Sequence, residues 1–379
     1  MIEIALRMLS GDRTKYLGLV SGIAFATLLI AQQASIFVSL MMRTANQVLD
    51  VREADLWVMD PRVRYVDEVE PLRDVDLARI RGVEGVEWAV PFYKGTAILR
   101  TREGLINQVS LVGVDDATLA GAPRKWVKGD LSALRRPNGI VLDLQGAQFI
   151  WPGEDVPLGR SAEINDVRVE LTGIADVSPP FITFPIAYMR YSDAVRLLPP
   201  QRNVMSYVIV KAAAGTDPAE LGARIAARTG LQALTWDAFA WRSVEYVLTR
   251  TGIPVNFGIT VLLGILVGAA VTAQTFYLFV FENLRQFGAL KAIGATNGQI
   301  LAMVLAQAAV VGALGYGIGI GLCALFFEVT GGAAALEGFR LVPQVVGATG
   351  GVIALILVLS CLFSIRRVFV VDPAIVFRG

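Results

Sequence analysis

The chain offers 33 acidic and 34 basic side chains, two cysteines and no histidine. Imidazole is the commonest general base, the usual zinc ligand and the physiological pH switch, so three kinds of chemistry lose their first choice at once. Nucleophile–base pairs lose their usual base for the same reason. Cys323 and Cys361 both stand in apolar runs. There a thiol behaves as a small buried hydrophobe rather than as half of a disulfide or a metal site. The carboxylates are scattered, no pair sits in an apolar setting that would force a pKa shift, and they read as solvated surface charge. A phosphate-cradling G-x-x-x-x-G-K-[ST] run is missing, and Gly294-Ala295-Thr296-Asn297-Gly298 lacks the lysine such a loop needs. The expectation is a chain without catalytic residues, metal or bound cofactor. Its net charge of +1 carries no nucleic-acid footprint.

What the residues do offer is apolar length. Hydrophobic residues make up 54% of the chain and charged ones 18%, against about 25% charged in a soluble domain. Leu17–Met42 is a 26-residue stretch without a formal charge. At 1.5 Å per residue it reaches roughly 39 Å, enough to cross a core of about 30 Å with some tilt. It is too long for a signal-peptide h-region and no A-x-A-like site closes it, so it reads as a retained helix. Three further runs complete the layout, giving transmembrane helices at 17–42, 253–281, 300–328 and 342–365. Segments 1–16 (amphipathic) and 366–379 form the termini, 282–299 and 329–341 the short connections, and 43–252 a large α+β domain between the first and second helices. Arg7, Arg13 and Lys15 precede the first helix, Arg285 and Lys291 follow the second, and Arg366, Arg367 and Arg378 follow the fourth. The connection between the third and fourth carries only Arg340. By the positive-inside rule both termini and 282–299 are cytoplasmic and 43–252 lies outside, in the periplasm of a Gram-negative cell.

Within 43–252 a helix is expected at Asp74–Arg81. Strands follow at Val86–Val90, Thr96–Thr101 and Gln108–Val114, with Arg102-Glu103-Gly104 as a turn. Ala162–Ile164 and Val167–Ile174 flank Asn165-Asp166 as a hairpin, and Ser206–Lys211 is another strand. Asp217-Pro218 opens a helix that Gly230 closes. Trp236–Thr251 is helical, with Trp236, Ala240, Val244 and Val247 on one face. It reads either as an interfacial aromatic belt or as a stalk continuing into the second membrane helix.

After that second helix, Phe287, Leu290 and Ile293 recur at i, i+3 and i+6 along a short amphipathic helix that Gly294 ends, and Thr296 caps the next. In the third membrane helix Gly315, Gly317, Gly319 and Gly321 form two small-x-x-x-small pairs suited to close helix packing. No ionisable residue interrupts the interior of helices one, two or four, which leaves an ion path without support.

The stretch with Glu282, Arg285, Phe287, Leu290, Lys291, Ala292, Ile293, Gly294 and Ala295 resembles the E-x-x-R-E-[FY]-x-x-L-K-A-[IM]-G signature of MacB/FtsX-type ABC transporter permeases, the type VII superfamily. Gln286 replaces the acidic residue usual in that signature. The ending Arg366-Arg367-Val368 with Asp372-Pro373-Ala374-Ile375-Val376-Phe377-Arg378 is also similar. Ser21–Ala26 and the lack of a fused nucleotide-binding domain resemble the DevC-like branch. The resemblance implies a non-catalytic subunit of a bacterial inner-membrane exporter. In such a subunit Glu282, Arg285, Phe287, Leu290, Lys291, Ile293 and Gly294 form a coupling helix docked on a separate ATPase dimer, which binds the ATP and magnesium. It implies mechanotransmission to the periplasmic domain, a second permease copy, a periplasmic adaptor with a TolC-like outer-membrane channel, and lipid-like or amphiphilic cargo. The alternative is an FtsX-like signal transducer that activates a periplasmic enzyme or sensor and moves no cargo.

Overall fold

A computed structural model describes residues 13–152, 155–182, 184–197, 205–331 and 338–370. The N-terminal segment before Arg13 and the tail beyond Val370 lie outside them. Two compact units emerge, one from residues 1–39 with 252–379 and one from Leu40–Thr251. Helix α1 (Arg13–Asp50) contributes to both. Among the described residues four helices are long and apolar enough to cross a membrane, at Tyr16–Asp50, Ile253–Glu282, Asn297–Thr330 and Pro343–Ile365.

The Leu40–Thr251 unit is an α+β domain whose ten strands, among the described residues, join into one sheet. Strand β2 (Val86–Thr101) organises it. Its first half pairs antiparallel with β9 (Tyr207–Ala212), which continues through β1 (Leu56–Met59) to β10 (Gln232–Thr235). Its second half pairs with β3 (Ile106–Val114) and its end with β6 (Ser161–Ile164). From β3 the ring continues through β8 (Ile186–Arg190), β5 (Gly139–Asp143) and β7 (Val167–Asp176), which returns to β6. β4 (Lys125–Lys128) adds to β7. Six strands thereby close on themselves, which removes the unpaired edges an open sheet would present. Leu99, Val109, Leu111, Ile140, Leu142, Ile164 and Leu171 fill the interior.

The two segments expected on either side of Pro91 are thus one 16-residue strand. Pro91 sits where β2 still pairs with β9, opposite Val208, and interrupts nothing. The hairpin at Asn165-Asp166 forms with both residues at positive φ, 49° and 66°, the backbone a tight two-residue turn requires. Helix α2 (Asp74–Arg81) matches its expected bounds, and two short helices follow, α3 (Leu144–Ile150) and α4 (Tyr191–Arg196). α5 (Pro218–Thr229) is capped by Asp217 on the Glu220 N–H at 3.0 Å and ends at Gly230, φ +75°.

α6 (Trp236–Arg250) turns Phe239, Ala240, Ser243 and Val247 into the domain core, where Trp57 packs edge-on to Phe92 and Tyr207 at 5.3 Å. Of the face expected to be shared, Ala240 and Val247 are buried and Trp236 is not. Nor is α6 a continuous stalk: Thr251 is extended (φ −121°, ψ 161°) and α7 (Ile253–Glu282) starts afresh, with Pro254 in its first turn. Proline lacks the N–H that would extend a preceding helix.

Among the described residues several charged groups depart from the expectation of solvated surface charge: Asp76 and Asp193 are buried in ion pairs with arginines, and one lysine is buried as well. Lys94, in the stretch of β2 that is buried on both faces, forms an ion pair with Asp67. Burial pushes its ammonium below the ordinary lysine range, against the pull of the Asp67 carboxylate. Strand alternation alone could not reveal it, because neighbouring positions there all face protein. A buried pair that loses one partner leaves an uncompensated charge, at a cost of about 3–5 kcal/mol. Lys94→Met is therefore expected to lower the thermal midpoint of the full chain clearly. Adding Asp67→Leu should restore most of that loss, since a matched apolar pair removes the stranded carboxylate.

Candidate functional site

The segment after α7 is specified almost residue by residue. Asn283 (φ −91°, ψ 11°) ends α7. Its side-chain amide donates to the Phe279 carbonyl at 2.8 Å, competing with the helical ladder at its last turn. α8 (Leu284–Ala292) begins at once, with the Phe287 N–H donating to the Asn283 carbonyl at 3.0 Å.

Its far end is closed by a nested pair of bonds. The Gly294 N–H donates to the Lys291 carbonyl and the Ala295 N–H to the Leu290 carbonyl, both at 2.9 Å. This is the Schellman arrangement with glycine at the left-handed position, and Gly294 has φ +103°, a backbone that a side chain would strain. Leu290 and Ala295 both pack against the helical core, which supplies the apolar contact that accompanies the motif. Thr296 then caps α9 (Asn297–Thr330) in a reciprocal box with Gln299, at 2.9 and 3.3 Å. Hydrogen bonds thus define where α8 starts and stops, and it is a formed helix rather than an irregular loop.

Phe287 is fully buried, among Phe276, Phe279, Val280, Ile300, Val304 and Ile365. Leu290 and Lys291 are half-buried, while Glu282, Arg285, Gln286 and Gly294 are exposed. Ile293, the helix C-cap, is 85% exposed. Phe287, Leu290 and Ile293 therefore do not form one stripe. Six residues advance an α-helix by roughly 600°, which leaves Phe287 and Ile293 about 120° apart. Phe287 anchors the helix in its own bundle, and Ile293 is left facing out.

The bundle that anchors α8 is held by glycines. A Cβ at Gly315 would stand 2.8 Å from Ile23 and 2.9 Å from the Val20 carbonyl, and one at Gly319 would stand 2.6 Å from the Ala24 carbonyl and from Thr27. Both lie where α9 crosses α1. A Cβ at Gly317 or Gly321 would meet nothing within 4 Å and both residues are exposed, so this pair makes no close helix crossing among the described residues. The two pairs are two residues out of phase, about 200° around the helix, and only one can face α1.

A second crossing escaped the sequence reading. A Cβ at Gly268 of α7 would stand 2.5 Å from Ala26 of α1, one at Gly264 3.4 Å from Ile30, and one at Gly22 of α1 2.7 Å from Val271. The Gly264-x-x-x-Gly268 spacing was its signal. α10 (Pro343–Val370) packs against both α7 and α9 and completes the bundle. Tyr316 of α9 donates to the Val346 carbonyl of α10 at 2.8 Å.

Comparison with known proteins adds independent findings. A family model described as MacB-like periplasmic core domain matches residues 16–228, and one described as FtsX-like permease C-terminal matches 258–373. An uncharacterized ABC transporter permease of Mycobacterium tuberculosis, Rv2563, is 34% identical over 118 residues, 30% of this chain and 31% of that protein. The match thus spans about a third of that relative's length. The uncharacterized ABC transporter permease YknZ of Bacillus subtilis is 23% identical over 68% of this chain and 67% of its own length. Among solved structures, the extracellular domain of YknZ matches at 16% identity over 48% of this chain and 98% of that one, with a TM-score of 0.37. The periplasmic region of MacB from Actinobacillus actinomycetemcomitans matches at 14% identity over 54% and 96%, also with a TM-score of 0.37.

Proposed function

Because the chain belongs to the MacB/FtsX-type family of ABC transporter permeases, with its two family domains over residues 16–228 and 258–373, we propose that it is the membrane subunit through which a separate ATPase moves the periplasmic domain. The apolar helices and the family make it a multi-pass protein of the inner membrane. The carrying observation is α8: a short helix with defined ends, rooted by Phe287 and presenting Arg285, Ile293 and Gly294 outward. A helix that must pass force between two proteins needs this division between a buried root and a free face.

In this reading α8 lies on the cytoplasmic side, as Arg285 and Lys291 favour, and docks in a groove of the ATPase, which holds the ATP and magnesium. Two copies of this chain meet two ATPases. Closure of the ATPases reaches the periplasmic domain through α7 and α1, and the cargo is lipid-like or amphiphilic, as in the DevC-like branch. An adaptor and an outer-membrane channel would complete the path.

The test is reconstitution with a candidate partner ABC ATPase from the same organism. Ile293→Asp is expected to abolish co-purification and to cut permease-dependent ATP hydrolysis by roughly thirtyfold, the effect of losing a contact worth about 2 kcal/mol, with an unchanged thermal midpoint. Full coupling in an Arg285→Glu, Ile293→Asp double variant would place the dock elsewhere.

A further inference from the structure

The loop Ser178–Ile182 of the α+β domain is tied to the last turns of α1. The Ser178 N–H and hydroxyl donate to the two carboxylate oxygens of Asp50 at 3.0 and 2.8 Å, and the Asn46 side-chain amide donates to the Pro179 carbonyl at 2.8 Å. Asn46 and Asp50 are four residues apart and share a helix face, and Met42, four residues earlier, shares it too. Met42 is 44% exposed and closes the uncharged stretch Leu17–Met42. Asn46 stands about 6 Å beyond it along the helix axis.

The loop carries part of what an element needs to leave water. Ser178-Pro179-Pro180-Phe181-Ile182 carries no charge. Its two prolines have no N–H to satisfy. The Ser178 N–H and the Pro179 carbonyl are committed to α1, and the Ile182 carbonyl accepts from the Phe184 N–H at 2.9 Å. Ile182 is nevertheless 44% exposed, and Phe181 half-buried. Each backbone group that is already bonded, or absent as in proline, lowers the cost of leaving water, while the apolar side chains gain. Amphipathic helices settle about 5–10 Å into the boundary between headgroups and acyl chains, the zone that aromatic side chains favour, and an uncharged apolar loop beside a membrane crossing meets the same boundary.

From this we propose that Ser178–Ile182 is a lipid-contacting loop, seated in the headgroup layer of the leaflet from which α1 emerges, with phospholipid as its partner. The proposal rests on α1 being a membrane crossing. It gives the domain a second, non-covalent hold on the bilayer beside α1.

The experiment uses the full chain in nanodiscs of phosphatidylethanolamine and phosphatidylglycerol, with the buried cysteines removed as Cys323→Ala and Cys361→Ala. An environment-sensitive NBD label goes on Ile182→Cys, on Ile106→Cys at the β2–β3 hairpin tip, or on Leu266→Cys of α7. Ile182→Cys is expected to emit at shorter wavelength than Ile106→Cys, and to be quenched severalfold more by a lipid bearing its quencher near the headgroup than by aqueous iodide. Leu266→Cys should respond to a quencher deep in the acyl chains. Iodide quenching at Ile182→Cys that equals that at Ile106→Cys, or protection from both quenchers, overturns the proposal while Leu266→Cys upholds the membrane crossing. Iodide access at Leu266→Cys overturns the membrane reading itself.

Discussion

Gly319→Leu is expected to prevent the helical unit from assembling, while Gly321→Leu, two residues further on, leaves it intact. At Gly319 even a methyl group would come within 2.6 Å of the Ala24 carbonyl of α1. That neighbour is backbone and cannot swing aside as a long side chain can. Overpacking a tight core by single methylenes costs about 1–3 kcal/mol, and leucine adds far more volume against a less yielding surface, so separation of α1 from α9 is the expected relief. A Cβ at Gly321 would meet nothing within 4 Å. Gly315→Leu and Gly317→Leu should repeat the contrast. Monodispersity in detergent and the thermal midpoint of the purified chain read the difference directly. Equal behaviour of the two members of each contrast would mean that α9 meets α1 through another face.

This contrast also marks how far the sequence can be read. Composition and run length were enough for four apolar helices and a domain between the first two, because desolvation of a spanning helix is a property of the segment itself. Local stop and start signals were equally legible: Gly294 and Thr296, Asn165-Asp166 and Asp217 with Gly230 act through their own neighbours within a few residues. What could not be read is rotation. Four glycines at alternating positions name two opposite faces of α9, and the choice between them is made by α1, some three hundred residues away in the chain. The same holds for Phe287 and Ile293, whose i+6 spacing looked like one stripe and resolves into a root and a free end. Ring closure of the sheet, and the burial of Lys94 against Asp67, depend likewise on pairings that no local pattern announces.

Phe287→Asp should be the most damaging substitution in α8, for a reason unrelated to docking. Phe287 lies fully inside the helical core, in one buried cluster with Phe276, Phe279 and Ile300. Removing a buried aromatic side chain costs about 3–5 kcal/mol through lost transfer energy and the cavity left behind. A carboxylate at that place adds desolvation, which it can reduce only by remaining protonated. The expected outcome is poor yield, a strongly lowered thermal midpoint and no stimulation of the ATPase, with Phe287→Leu recovering most of all three. Ile293→Asp separates from it, since a residue that is 85% exposed can take a charge without loss of stability. The pair therefore distinguishes rooting the helix from touching a partner. Stability falls in the first and holds in the second, while coupling fails in both. A Phe287→Asp chain that melted normally and yet failed to couple would put Phe287 on the docking face after all, and the division of α8 into root and contact would be wrong.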